Sequence, residues 1–523
     1  MYGKKIKFVA AAVLVLGALV SSGGFASTLR INVVDEAGHP IWARLEVRGK
    51  GGKMYHPAQS IRDPRPGVRP GVLPFYPGSF VIHGECRLRV PPGNYRIIGM
   101  HGAEYERVER SVAVSGGGSA AVTLPLWPWV RMRKLGWWSA DFHVHRPPED
   151  VRNLVLAEDL NFCPVITAWP TRRRPVFWQP DIWGPGPAPV IRVDSSHFVT
   201  LKNAEDERGG GAWIFQMLRE PLAGFGSAER WYPSGLKFVE EAREQRGGDG
   251  LFPWFDCEKP FWWEVPVMMA LATPDSLEII PNHVTEYGVE AYEAWGRPRN
   301  TREFPGPEGW VDYVLGLYYH YLNLGFHLPA TAGGASGVLP NPVGFNRVYA
   351  QISGPFTAAK WFSALRKGHS FVTNGPMLFF NVSPEGSLMK ATVEARAARP
   401  LDRIEVVANG RIIQWFPVPP GRLEYKAEFT FDPAQYSWIA ARCFLRPGVT
   451  IRMAHTSPVY LKGHYDCRPD AQFFIGWMND LIRETQADPQ RFSSPSQREE
   501  ILKIYAKALA FYQSKLQQGC RAD

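Results

Sequence analysis

The sequence predicts a multidomain chain. A distorted β/α barrel of the TIM-like kind covers residues 136–375, β-sandwiches flank it at 28–131 and 376–463, and a helical hairpin covers 468–523. Three observations predict this architecture. The 523 residues exceed what one hydrophobic core usually organises. Apolar residues alternate with period two in both flanks, and between the flanks short apolar strands alternate with helical segments about seven times.

Residues 1–26 carry Lys4, Lys5 and Lys7, the apolar run FVAAAVLVLGALV and a small-residue end, the layout of a secretory signal peptide cut after Ala26. The run is shorter than the ~20 residues that cross a bilayer, so no membrane span is expected after cleavage. The chain is therefore expected to be exported, periplasmic or extracellular. TLRINVVDEAGHP, ARLEVRG and CRLRVPPGNYRIIGMHG then alternate between turn signals, as an antiparallel sandwich does, and resemble transthyretin-like or carboxypeptidase-regulatory domains. From GWWSADFHVH onward the rhythm is strand and helix: EDVRNLVLAEDL, CPVITAW, HFVTLKNAEDE, a helix opening at Ser234, GLFPWFD, VPVMMALA, SLEIIPNH, GWVDYVLGLYYHYLNLG, FHLPATAGG, TAAKWFSALRKG and SFVTNGP. Repeats of this kind imply a parallel sheet. Alternation returns after Pro376, with ANGR as a hairpin turn, and helical spacing marks the tail on either side of Pro489.

Composition narrows the function. Hydrophobic residues make up 45% and charged residues 21%, which excludes disorder as the main state. The net charge of +9 falls to +6 when the three leader lysines go, and it is dispersed, with no basic stripe for nucleic acid. Six cysteines contain no CxxC pair, and Cys443 with Cys467 is a plausible local bridge. Oligomeric state is not legible.

Functional side chains of a β/α barrel gather at the C-terminal ends of its strands. The first exit carries Asp141, His143 and His145, alternate residues that leave one face of a strand together before a Pro-Pro break. Later exits carry Glu205, Asp206, Glu207 and Arg208 followed by glycines, then Asp256, Glu258 and Lys259, then His283. Imidazoles and carboxylates in this combination suit one divalent transition metal such as zinc, manganese or iron. A spare carboxylate of the Glu205/Glu207 or Asp256/Glu258 pairs is a candidate general base, and Arg208, Lys259 and Arg347 are candidate anion contacts. His197, His320 and His455 are read as structural. Phe261, Trp262, Trp263, Trp169, Trp178, Trp183 and Trp254 admit a second reading, stacking on sugar rings in a non-catalytic glycan- or envelope-binding protein.

The blocks GWWSADFHVHR, NAEDERGGG, DCEKPFWWEVP, NHVTEYG, ATAGGASGVLPNPVGFNRVYAQ and RKGHSFVTNGPML resemble the PHP (polymerase and histidinol phosphatase) superfamily, in its exported CehA/McbA-like metallohydrolase branch. The resemblance implies a barrel whose one to three ions activate a water to cleave an ester or phosphoester, small-molecule or glycan-linked; the residues of this chain suffice for one or two ions. It implies His143 and His145 as opening ligands, Glu205 or Glu207 as the acidic ligand, Asp256 where the family often has histidine, and His283 as a later ligand. With Glu207 as ligand, Glu205 and Glu258 remain as candidate bases and Arg208 as the anion contact. Thr167-Ala168-Trp169 replaces the family's Thr-Asp-His, and TAGGASG replaces its closing Asp-x-His, so a trinuclear site is not expected.

Overall fold

The computed structural model describes residues 27–57, 79–170, 181–248 and 250–519; the leader with its cleavage site, Trp178 and Cys520 lie outside the described residues. The first β-unit has two sheets. Ser27–Val34 lies between Glu85–Val90 and Ser119–Pro125, and Trp42–Arg48 lies between Ser79–His83 and Gly93–Met100. Period-two alternation buries Leu29, Ile31 and Val33 against Leu45, Phe80 and Ile97. The expected all-antiparallel pattern is broken once, because Ser27–Val34 and Ser119–Pro125 run parallel.

A 15-stranded sheet forms the centre. Trp137–Ala140, Phe162–Ala168 and Phe198–Glu207 pair in parallel, as do Trp254–Cys257, Ser276–Ile280 and Ala330–Ala332. Between these two parallel sets stands Ala212–Gln216, antiparallel to both neighbours. The purely parallel sheet is thus corrected. The glycines of RGGG turn the chain back as a hairpin, and AWIFQ, buried throughout, supplies an extra strand. Two antiparallel steps restore the direction, so all six parallel strands still end on one edge. No closed barrel of continuously paired strands forms among the described residues. The backbones at the two ends of the set meet through Val144, which bridges Val165 and Ser336, and through Phe142 N–H to Ala332 O at 3.2 Å and His145 N–H to Ser336 O at 2.8 Å.

The helices are α1 (Pro148–Ala157), α2 (Gly235–Glu244), α3 (Val265–Ala272), α4 (Gly306–Asn323), α5 (Ala358–Arg366), α6 (Arg468–Ala487) and α7 (Pro495–Gln518). Side-chain caps start several of them: Ser234 accepts from Leu236 N before α2 and Thr357 from Lys360 N before α5. The tail is a helical pair, as its spacing predicts. It docks on α3 through Tyr512, whose hydroxyl donates to Pro266 O at 2.7 Å.

The expected second sandwich is not a separate stack. Met377–Glu385, Leu388–Arg396 and Glu424–Phe431 form a sheet of their own, but Leu401–Ala408, Arg411–Pro417, Trp438–Leu445 and Met453–Thr456 extend the central sheet, through pairing of Met453–Thr456 with Ser370–Thr373. The unforeseen strand Arg347–Gln351 links Ser370–Thr373 to Trp137–Ala140. ANGR is the expected turn, with Asn409 at φ 48° and Gly410 at φ 76°. Cys443 is free and Cys467 is disulfide-bonded, so the Cys443–Cys467 bridge is not formed. No helix among the described residues is long and apolar enough to cross a membrane.

Candidate metal centre

The first strand stops at Ala140, and Asp141 explains why. Its Oδ1 accepts from the backbone N–H of His143 at 3.0 Å and of Gly334 at 3.1 Å, and its Oδ2 accepts from Gly344 N–H at 2.8 Å. A side chain that captures its own i+2 amide competes with the strand ladder. Asp141 therefore organises backbone rather than standing beside the histidines, and burial pushes its carboxyl up to about 6 against those three N–H groups.

The two histidines converge. His143 Nε2 lies 2.9 Å from His145 Nε2, and Glu205 Oε2 lies 2.9 Å from His145 Nε2 and 3.5 Å from His143 Nε2. On the other side of the ring, His143 Nδ1 lies 3.1 Å from Glu258 Oε1. Two groups could hold a metal ion, His143 with His145 and Glu205, and His143 with Glu258 and Glu278. A neutral imidazole has one lone pair, so these are alternative uses of His143 rather than two complete sites.

The polar atoms here lack hydrogen-bond partners. Both oxygens of Glu205, both of Glu278, Oε2 of Glu258, Oδ2 of Asp256 and Nδ1 of His143 are buried without one. Native buried polar atoms are paired in roughly 90% of cases or more, so a cluster of orphans calls for an absent partner. Charge gives the sign of that partner. Five carboxylates (Glu205, Glu207, Asp256, Glu258, Glu278) surround one ammonium, Lys259, which pairs with Glu258 and, at 3.3 Å, with Glu207. Removing a charge from water costs several kcal/mol even after relaxation, so the excess is answered by protonation or by a cation.

The individual groups show both responses. Burial opposes a charge on His143, yet Glu258 and Glu205 overcome it and hold the ring well above its ordinary value. Glu205, penalised by burial, is held well below the carboxylate range by His143 and His145. Burial lowers His145, with Glu205 pulling the other way. Glu278 is driven well above its ordinary value by burial, with Asp256 and Glu258 adding to the rise, and burial takes Asp256 and Glu207 to about 7.

Gly333 makes the packing feasible. A Cβ there would lie 2.3 Å from His143 Cβ and 2.4 Å from Glu278 Oε1, so only glycine fits. The TAGG segment, which offers no ligand, is the wall against which the ligand-type side chains pack.

Other expected site residues stand elsewhere. Glu207 is held by Lys259 and by Trp169 Nε1 at 3.1 Å. Asp256 Oδ1 accepts from Ser276 and Thr331 hydroxyls, leaving only Oδ2 toward the cluster's charges. His283 lies outside both groups: its ring stacks on Trp310 at 5.3 Å, Nδ1 contacts Glu290 O at 3.0 Å, and burial lowers it to about 4. Arg208 is locked to Asp206 and to the carbonyls of Glu229 and Pro233, and Arg347 to those of Gly344 and Glu158. Lys259 neutralises carboxylates, and none of these three is a free anion contact. Trp254 and Trp262 are core residues at 0% and 1% exposure, which removes them as open stacking faces. Glu278 was missed by sequence reasoning. Its signal was available: an acid inside the apolar strand SLEII has no reason to be buried without a partner.

No protein-family model matches the chain, and no curated protein matches it. Among solved structures it is similar to the minor pilin GBS52 of Streptococcus agalactiae, at 16% identity over 20% of this chain and 47% of that one, TM-score 0.14. It is also similar to the Bacillus anthracis TIE protein, at 15% identity over 23% and 19%, TM-score 0.13. A third likeness is to 3-chlorocatechol 1,2-dioxygenase from Rhodococcus opacus, at 13% identity over 21% and 62%, TM-score 0.13. The chain spans less than two thirds of each, and overlaps this slight carry no argument.

Proposed function

We propose that the chain is an exported metal-dependent hydrolase of the PHP type, cleaving an ester or phosphoester on a distorted barrel whose first and last strands meet at Val144. The observation that carries this reading is the set of buried, partnerless carboxylate oxygens converging on His143 and His145. His143, His145 and Glu205 would hold one divalent ion, zinc, manganese or iron. Such an ion supplies Lewis acidity and a nucleophilic water near neutral pH. Glu258 lies 3.1 Å from Nδ1 on the far side of His143, where an outer carboxylate would orient a ligating histidine and leave Nε2 to the ion. Asp141 fixes the backbone of His143. Burial raises Asp256 to about 7 and Glu278 well above its ordinary value, which makes these two the candidate proton carriers. The disulfide at Cys467 supports export.

The test is metal content of protein purified without added metal or chelator, followed by turnover of p-nitrophenyl acetate, p-nitrophenyl phosphate and bis-p-nitrophenyl phosphate. About one equivalent of metal, with metal-dependent turnover, is expected. Failure to bind zinc, manganese or iron even on reconstitution overturns the reading. One observation favours a non-catalytic binding role instead: His143, Glu205, Glu258 and Glu278 are at most 1% exposed. Metal without turnover of any ester would select that role.

A further inference from the structure

A second site is built far from the histidines in sequence and chemistry. A cavity of about 360 Å³ opens where the first β-unit, the central strands and the C-terminal β-layers meet. Its charged lining is six arginines against three glutamates. The glutamates are all engaged. Glu158 accepts from Arg44 at 2.6 Å, Glu286 contacts Arg44 at 3.4 Å, and Glu46 accepts from Arg48 at 3.0 Å. Arg347 donates to backbone carbonyls. That leaves Arg107, Arg399 and Arg452, for which no carboxylate partner exists among the described residues.

Arg452 is the decisive one. Its Nη1 donates to Asn374 O at 2.7 Å, and its guanidinium lies 4.9 Å from the centre of the Phe345 ring. Burial, with Arg399 beside it, pushes the group down to about 10. A guanidinium keeps its proton in a protein, so Arg452 is a partly desolvated cation that Glu286 offsets only in part. The same wall holds Thr450, whose Oγ1 is buried without a partner. A partly desolvated guanidinium fork is the group that best receives a planar or tetrahedral oxyanion. The cavity also has room beyond the anion, within the size range of small-molecule sites, and Tyr105, Trp129 and Tyr287 supply apolar faces.

We infer that this junction is a binding site for a small organic oxyanion, its carboxylate, phosphate or sulfate head on Arg452, Arg399 and Arg107 and its body against the aromatic walls. The site is independent of the metal reading.

Phenylphosphonate, which is not hydrolysed, is the probe, titrated calorimetrically into the whole protein, with inorganic phosphate as the second arm. Binding that weakens about tenfold in Arg452→Gln, and by a smaller factor in the exposed double variant Arg107→Ala/Arg399→Ala, is expected. The exposed pair keeps the test valid where Arg452→Gln does not fold. Binding should be unchanged in His143→Ala/His145→Ala. Equal affinity for inorganic phosphate would overturn the organic body. No binding, binding indifferent to all three arginines, or binding lost with the histidines would overturn the site.

Discussion

Two groups of histidine and carboxylate stand at the two ends of one strand, Phe198–Glu207, and they differ in how their polar atoms are satisfied. At its start, His197 places Nε2 3.0 Å from Asp159 Oδ1 and Nδ1 2.9 Å from Asp194 Oδ1, and Asp194 also accepts the amides of Ser196 and His197. Both ring nitrogens there have a carboxylate partner. At its end, Glu205 faces His143 and His145 with both oxygens lacking a hydrogen bond. The first imidazole is held by Asp159 at Nε2 and Asp194 at Nδ1, which favours its charged form. In the second group Glu205 Oε2 lies 2.9 Å from His145 Nε2, while Glu205 Oε1, Glu258 Oε2 and both oxygens of Glu278 meet no donor. Both groups combine imidazole with carboxylate, and the polar atoms left without a partner separate a structural ion pair from a place for a ligand.

The comparison breaks most visibly if the wrong histidines hold metal. His143→Ala/His145→Ala should lose all bound metal, whereas His197→Gln should keep the wild-type content, as elemental analysis of the two purified variants would show. Stability should respond in the opposite sense. Asp159→Ala removes one of the two anions on His197 and leaves Asp194 in place, so it should cost roughly 1–3 kcal/mol in denaturant unfolding without changing metal content. A loss below ~1 kcal/mol would mean that the His197 group is not structural. Glu258→Gln should weaken metal binding about 10–100-fold in competition with a chelator, since it removes the outer partner of His143 but no ligand.

The smallest effect sharpens the contrast through pH. His197 is raised above its ordinary 6.5: burial opposes the charge, but Asp159 and Asp194 overcome it. Its contribution to stability is full below pH 6.5 and is lost as pH rises through the raised value. Asp159 is depressed below 3.8 by His197 and its neighbours despite burial, so its contribution is present above 3.8 and is lost as pH falls through the depressed value. The melting-temperature gap between wild type and His197→Gln should therefore be widest between about pH 4 and 6.5 and narrow above that. A gap constant from pH 5 to 9 would remove His197 from the charged pair.

Local signals made much of this legible. The alternation of Leu29, Ile31 and Val33, the Ser234 cap, the ANGR turn and the tail spacing each depend on neighbours within a few residues. So did the strand exits at His143, His145 and Glu205. Long-range register was not legible. Nothing near Arg347 announces that Arg347–Gln351 pairs with Trp137–Ala140, and nothing near Met453 announces its pairing with Ser370–Thr373. Ala212–Gln216 was hidden because its three preceding glycines read as a ligand-binding loop. They lie instead against Trp231, Glu264 and Trp213, where a Cβ would collide. Among the site residues, Glu207, Asp256 and His283 were placed by exit position alone, and side-chain direction sent each to another partner.

The pairing of Met453–Thr456 with Ser370–Thr373 also fixes how the molecule can come apart. A ladder that runs without interruption from the strand before His143 into the C-terminal layers has no internal seam. Amides on either side of residue 376 should therefore share one opening event in hydrogen exchange, and limited proteolysis should find no cut that releases residues 376–463 while the histidine-bearing strands stay folded.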